Sequence, residues 1–87
     1  MPRISHFYGI TITMHWREGH HGRPHFHARY AEHKASFDLQ GKIIVGYLPR
    51  RQLLLVQAWV ELHTEELIAD WQRVVNKESP IPIDPLR

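Results

Sequence analysis

The sequence predicts an α+β domain: a four-stranded antiparallel sheet with one long or kinked C-terminal helix packed on one face. Three observations carry this. Short stretches in the first half alternate apolar and polar residues with a period of two. Glycine, proline and polar clusters separate them. In the second half the apolar residues recur at three- and four-residue steps instead. A chain of 87 residues has room for one core, so residues 1–87 are one domain.

Residues 10–16 read as the first strand, with Ile10, Ile12, Met14 and Trp16 inward and Thr11, Thr13 and His15 outward. A polar loop from Arg17 to Pro24 follows, containing His20 and His21. Residues 25–30 form the next strand and bury Phe26, Ala28 and Tyr30. Residues 34–39 bury Ala35, Phe37 and Leu39. A two-residue loop at Ala31-Glu32 sets Tyr30 opposite His33, Ala28 opposite Ala35 and Phe26 opposite Phe37. The same register sets His27 opposite Ser36 and His25 opposite Asp38. Residues 42–47 form the fourth strand. A three-residue loop at Gln40-Gly41-Lys42 places Ile43, Val45 and Tyr47 inward.

Pro49 suits the start of a helix over residues 50–76. Leu53, Val56, Val60, His63, Leu67, Trp71 and Val74 make its core stripe, which places His63 inside, bonded to a carbonyl. One straight helix of that span is about 40 Å long, twice the length of the strands. A break is therefore expected near His63-Thr64, with Thr64 capping a second segment. Arg50-Arg51 at the helix start oppose its dipole. Asn76 marks the stop, and residues 77–87 form a Pro-rich extended tail able to serve as an arm.

Composition narrows the function classes. With 43% hydrophobic and 23% charged residues the chain is an ordinary globular one, and without cysteine it has no disulfide or thiolate zinc site. No apolar run could span a membrane and the N-terminus has no signal-like apolar core, so a cytoplasmic location is expected. A net charge of +2 permits an RNA or acidic partner without demanding one.

The chemistry points to Pro24-His25-Phe26-His27-Ala28-Arg29-Tyr30, in a chain with 8 histidines. Residues two apart share a strand face, so His25, His27 and Arg29 gather on the polar side, with His15 at the same end and Asp38 opposed. Three chemistries fit. Neutral histidines can act as acid and base on an RNA 2′-hydroxyl, with Arg29 stabilising phosphate charge and Asp38 orienting His25; this would be a metal-independent ribonuclease needing no cofactor. Alternatively His15, His25 and His27 hold zinc or another divalent transition metal. The third reading is a non-catalytic protein-interaction module, using an open sheet edge. A solvated sheet face also accounts for histidine and threonine there.

Four segments resemble a known family: Met1-Pro2-Arg3-Ile4-Ser5-His6-Phe7-Tyr8-Gly9-Ile10, Pro24-His25-Phe26-His27-Ala28, Leu48-Pro49-Arg50-Arg51 and Trp59-Val60-Glu61-Leu62-His63. The chain is similar along nearly its whole length to the bacterial family called domain of unknown function 4160. The loop before Pro24 is longer and richer in histidine than is usual there, and Ala31-Glu32 lacks the expected glycines. The resemblance implies a small bacterial protein on the toxin side of a toxin–antitoxin-like gene pair, with an antitoxin partner encoded by a neighbouring gene. It carries no catalytic residue over.

Overall fold

The structure is a computed structural model, which describes residues 2–15 and 23–87. Among the described residues five strands precede one helix: β1 (Arg3–Phe7), β2 (Ile10–Thr13), β3 (Phe26–Tyr30), β4 (His33–Phe37), β5 (Ile43–Gly46) and α1 (Arg50–Val75). The strands form one antiparallel sheet in sequence order, a meander. The α+β expectation holds, with five strands rather than four.

The added strand, β1, has no clean alternation. Its ladder with β2 shifts between Arg3 and Ser5, so adjacent Ile4 and Ser5 are both buried. Such a bulge hides a strand from a period-two reading. The β1–β2 turn is Tyr8-Gly9, with φ of 51° and 80°. Positive φ at both positions suits the right-handed twist of a two-residue hairpin, and Gly9 takes it without strain.

The β3–β4 hairpin has the expected register, from Phe26↔Phe37 to Tyr30↔His33. The Phe26 and Phe37 rings stack at 5.2 Å. The last hairpin differs. Its ladder shifts between Ser36 and Phe37, so Ile43 faces Phe37 while Val45 faces Ser36. The extra residue turns Val45 onto the outer face, and Val45 and Tyr47, expected inside, are 64% and 61% exposed. Gly46 makes this path workable. Its φ is +97°, and a Cβ there would stand 2.3 Å from the Lys34 carbonyl oxygen.

Helix α1 covers one face of the sheet. Trp59 is fully buried between Phe7 and Phe26, and Val56, Val60, Leu67, Trp71 and Val74 extend the contact. The expected break is present: His63 has non-helical angles (φ −130°, ψ 26°). Thr64 does not cap a second segment. Its Oγ1 donates to the Val60 carbonyl at 2.7 Å, a back-bond of the kind that bends helices. His63 is half-buried and bonds through Nδ1 to Glu66 Oε1 at 2.6 Å, not to a carbonyl. At the other end Lys77 adopts φ 63°, Lys77 N–H donates to the Val74 carbonyl and Glu78 N–H to the Arg73 carbonyl. This Schellman pairing satisfies the last carbonyls after the Asn76 cap.

The tail is not a free arm. Ile83 is buried and its N–H donates to the Ile4 carbonyl at 2.7 Å. Trp59 Nε1 donates to the Asp84 carbonyl, and Ile81 N–H to Asp70 Oδ1. The tail thus lies along the outer edge of β1, an edge that would otherwise offer unpaired backbone groups. Among the described residues no helix is long and apolar enough to cross a membrane.

Candidate functional site

The face of the sheet away from α1 is built by two rows running across the strands. Direct ladder partners point their side chains to the same side. One row is His6, Thr11, Arg29 and Lys34; the other is Arg3, Thr13, His27, Ser36 and Val45. His6 Nδ1 and Thr11 Oγ1 are 3.0 Å apart, which fixes that side of the first row. The centre of the face is a shallow trough of about 620 Å³, lined by Thr11, Thr13, His27, Arg29, Lys34 and Ser36 among others. Among the described residues neither row contains an Asp or Glu. Three permanent cations, two imidazoles and three hydroxyls share one surface, and Arg29 sits directly across from Lys34. Like charges opposed on a sheet are unfavourable unless an anion lies between them.

The histidines divide. His27 stands on the open face, half-buried, with Nδ1 3.1 Å from Ser36 Oγ. His25 does not join it there. Alternation holds only inside the ladder, and β3 begins at Phe26. His25 is 3% exposed and packs against Trp71 of α1 at 5.2 Å. Its Nδ1 lies 2.8 Å from the Arg23 carbonyl oxygen. A carbonyl only accepts, so this nitrogen carries the proton in the neutral ring. The three rings still touch: His15 stacks on His27 at 5.0 Å, and His25 meets His27 edge-on at 5.1 Å.

Asp38 is not opposed to His25. The ladder's last pair on that side is Phe26↔Phe37, and Asp38 Oδ1 instead accepts from the N–H groups of Gln40 and Lys42 at 2.9 and 3.0 Å. Aspartate favours such a turn, because its carboxylate satisfies local backbone donors. Arg29 is where the spacing puts it, exposed on the open face. For metal binding, among the described residues no group of three His, Cys, Asp or Glu side chains is placed to hold an ion. Stacked imidazoles turn their π-faces together, whereas their lone pairs lie in the ring planes. Trp16, Arg17, His20 and His21 lie outside the described residues.

Lys34 and the hydroxyls of Thr11, Thr13 and Ser36 are outward strand positions in the sequence, on the same polar face as Arg29 and His27, and the register adds which of them stand directly across from one another. Arg3 and His6 were missed with β1 itself.

Residues 9–72 match the family model described as Domain of unknown function (DUF4160), and the chain belongs to this family. No curated protein and no solved structure matches the chain.

Proposed function

From this membership and the open sheet face, we propose that the protein is the toxin-side component of a bacterial toxin–antitoxin-like pair. It works in the cytoplasm, acts on RNA and is restrained by a small protein encoded beside it. The observation that carries the RNA reading is a face with no carboxylate among the described residues, where Arg29 and Lys34 stand side by side with Thr11, Thr13 and Ser36. Such a surface holds a phosphodiester backbone: the cations neutralise phosphates and the hydroxyls donate to their oxygens.

The chemistry is assigned to His27 through Nδ1, which lies 3.1 Å from Ser36 Oγ on the trough side, its Nε2 being closed to solvent. His27 takes the proton of a 2′-hydroxyl, and the freed oxygen attacks the adjoining phosphorus to give a 2′,3′-cyclic phosphate. The bond from phosphorus to the 5′-oxygen breaks, that oxygen leaving with a proton from water while Arg29 stabilises the charge that develops. His15 and His25 hold the ring of His27 by stacking and edge contact, and are positioning residues. Asp38, engaged in its own turn, has no part in this step.

The test is induced expression in a bacterial host, with growth and total-RNA integrity followed for wild type, His27→Ala and Arg29→Ala, each verified as folded. Wild type should arrest growth with RNA fragmentation, and either substitution should relieve both. No arrest by wild type overturns the toxin reading. Arrest by folded His27→Ala, with RNA cut as before, removes His27 from the chemistry. Arrest with intact RNA leaves a binding module in place of a ribonuclease.

A further inference from the structure

A helix lying on a sheet turns its outer side to water, and that side is normally polar. On α1, however, Leu54 and Leu62 are 50% and 68% exposed, and exposed Ala58 lies midway between them. Steps of four residues keep all three within about 40° of one line along the helix. Arg51, seven residues before Ala58, lies within about 20° of the same line, and Glu65, seven residues after it and just past the kink, is exposed as well. The stripe reads basic, Leu, Ala, Leu, acidic. Reversed, it keeps its apolar order and inverts its charge. An isologous two-fold contact asks for that property, since each residue i meets j while j meets i.

We propose that this stripe is the interface of a homodimer in which two copies of α1 pack antiparallel about a two-fold axis at Ala58. Leu54 of each copy then covers Leu62 of the other, and Arg51 reaches Glu65 of the other. The small Ala58 side chain at the crossing lets the axes approach to about 8–10 Å. The charges of the single chain support this occupant. Arg50 and Arg51 stand in the first turn of α1, where no acidic residue offsets the helix dipole. Among the described residues neither they nor Glu61 and Glu65 belong to an ion pair. A second copy brings Glu65 to that basic end and Arg51 to the acidic one. The kink at His63 falls between Leu62 and Glu65, so the ion pair spans it through long side chains.

The stripe is about 21 Å long and a single helix wide. It is far smaller than the roughly 800 Å² per partner of a stable interface. The dimer is accordingly weak. It lies on the opposite side of the sheet from the basic face and leaves that face open, so it stands or falls independently of the RNA reading.

Sedimentation equilibrium on the full chain, from about 10 μM to about 1 mM, tests it. Wild type should rise toward twice the monomer mass, less so at high salt. Arg51→Glu and Glu65→Arg should each weaken association at least about tenfold, because each makes both cross pairs repulsive. An equimolar mixture of these two variants should recover it, since an all-acidic stripe then meets an all-basic one. Both positions are exposed, and unchanged thermal melts establish that the variants are folded; if either melts early, Leu62→Ser takes its place under the same criterion. A wild type that stays monomeric throughout overturns the proposal. So do single variants that dimerise like wild type, which would put the contact elsewhere, or a mixture that fails to recover.

Discussion

The two faces of the sheet are made by alternate residues of the same strands, yet they answer to different physics. The helix side is dry and aromatic, with Phe26 stacked on Phe37 and Trp59 set edge-on above Phe26. The open side is hydroxylic and cationic, with exposed Val45 at its end. Burial of the first side supplies the free energy of folding; the second contributes little and is free to be selected for charge. His25 and His27 mark the boundary between the two, their rings meeting edge-on at 5.1 Å. Two residues apart, one lies in the core against Trp71 and the other in the trough. A substitution should therefore act on stability or on binding according to its face.

The largest effect is expected at the helix side. Trp59→Ala removes a fully buried ring and its bond to the tail, and should cost about 3–5 kcal/mol in a urea melt, enough to unfold much of the chain at 37 °C. A loss under about 1 kcal/mol would mean that the helix is not seated as described. Next is Gly46→Ala, which forces a Cβ into the Lys34 carbonyl at a left-handed backbone position. It should cost about 3 kcal/mol and free β5, visible as faster hydrogen exchange at Ser36 and Tyr47.

Asp70 is smaller in effect and lies at the seam between helix and tail. It is 1% exposed, and its Oδ1 accepts from Arg73 at 2.7 Å and from the Ile81 N–H at 2.8 Å. Asp70→Ala should cost about 2 kcal/mol and make the tail sensitive to protease before the rest of the fold. The turn residue Ala31, at φ 52°, gives a change of opposite sign. Ala31→Gly removes left-handed strain and should stabilise by about 0.5 kcal/mol, read as a small rise in Tm.

On the open face the stability effect should vanish while binding changes. Arg29→Ala/Lys34→Ala should leave the melt within about 0.5 kcal/mol of wild type. It should weaken binding to single-stranded RNA about 10- to 100-fold and make the salt slope shallower by about two phosphate contacts. Equal loss of stability and binding would break the division between the faces.

Most of the architecture was legible because it depends on local periodicity. The β3–β4 register follows from apolar pairing around a two-residue loop, and the helix break follows from matching a long helix to short strands. The two strands read wrongly, β1 and β5, are the bulged ones, where an extra residue breaks the period of two. At the site, His27 and Arg29 were placed correctly because they lie within the ladder. His25 and Asp38 were misplaced because they lie just beyond its ends, where the backbone leaves the pleat and a side chain goes to the nearest partner. For His25 that partner is the Arg23 carbonyl, and for Asp38 its own turn.

By itself, then, the sequence determined the α+β class, the apolar face of each regular strand, the span of α1 and the polar character of the opposite face. These are short-range properties, set by side-chain alternation and helical pitch. Only the tertiary structure decided that the tail covers the β1 edge, that β5 turns Val45 outward, that His25 belongs to the core and that Asp38 turns to its own loop, leaving the Arg29 and Lys34 surface with no carboxylate among the described residues. Each of these depends on which distant backbone groups find one another, and the free energy of such pairing is spread over residues far apart in the chain.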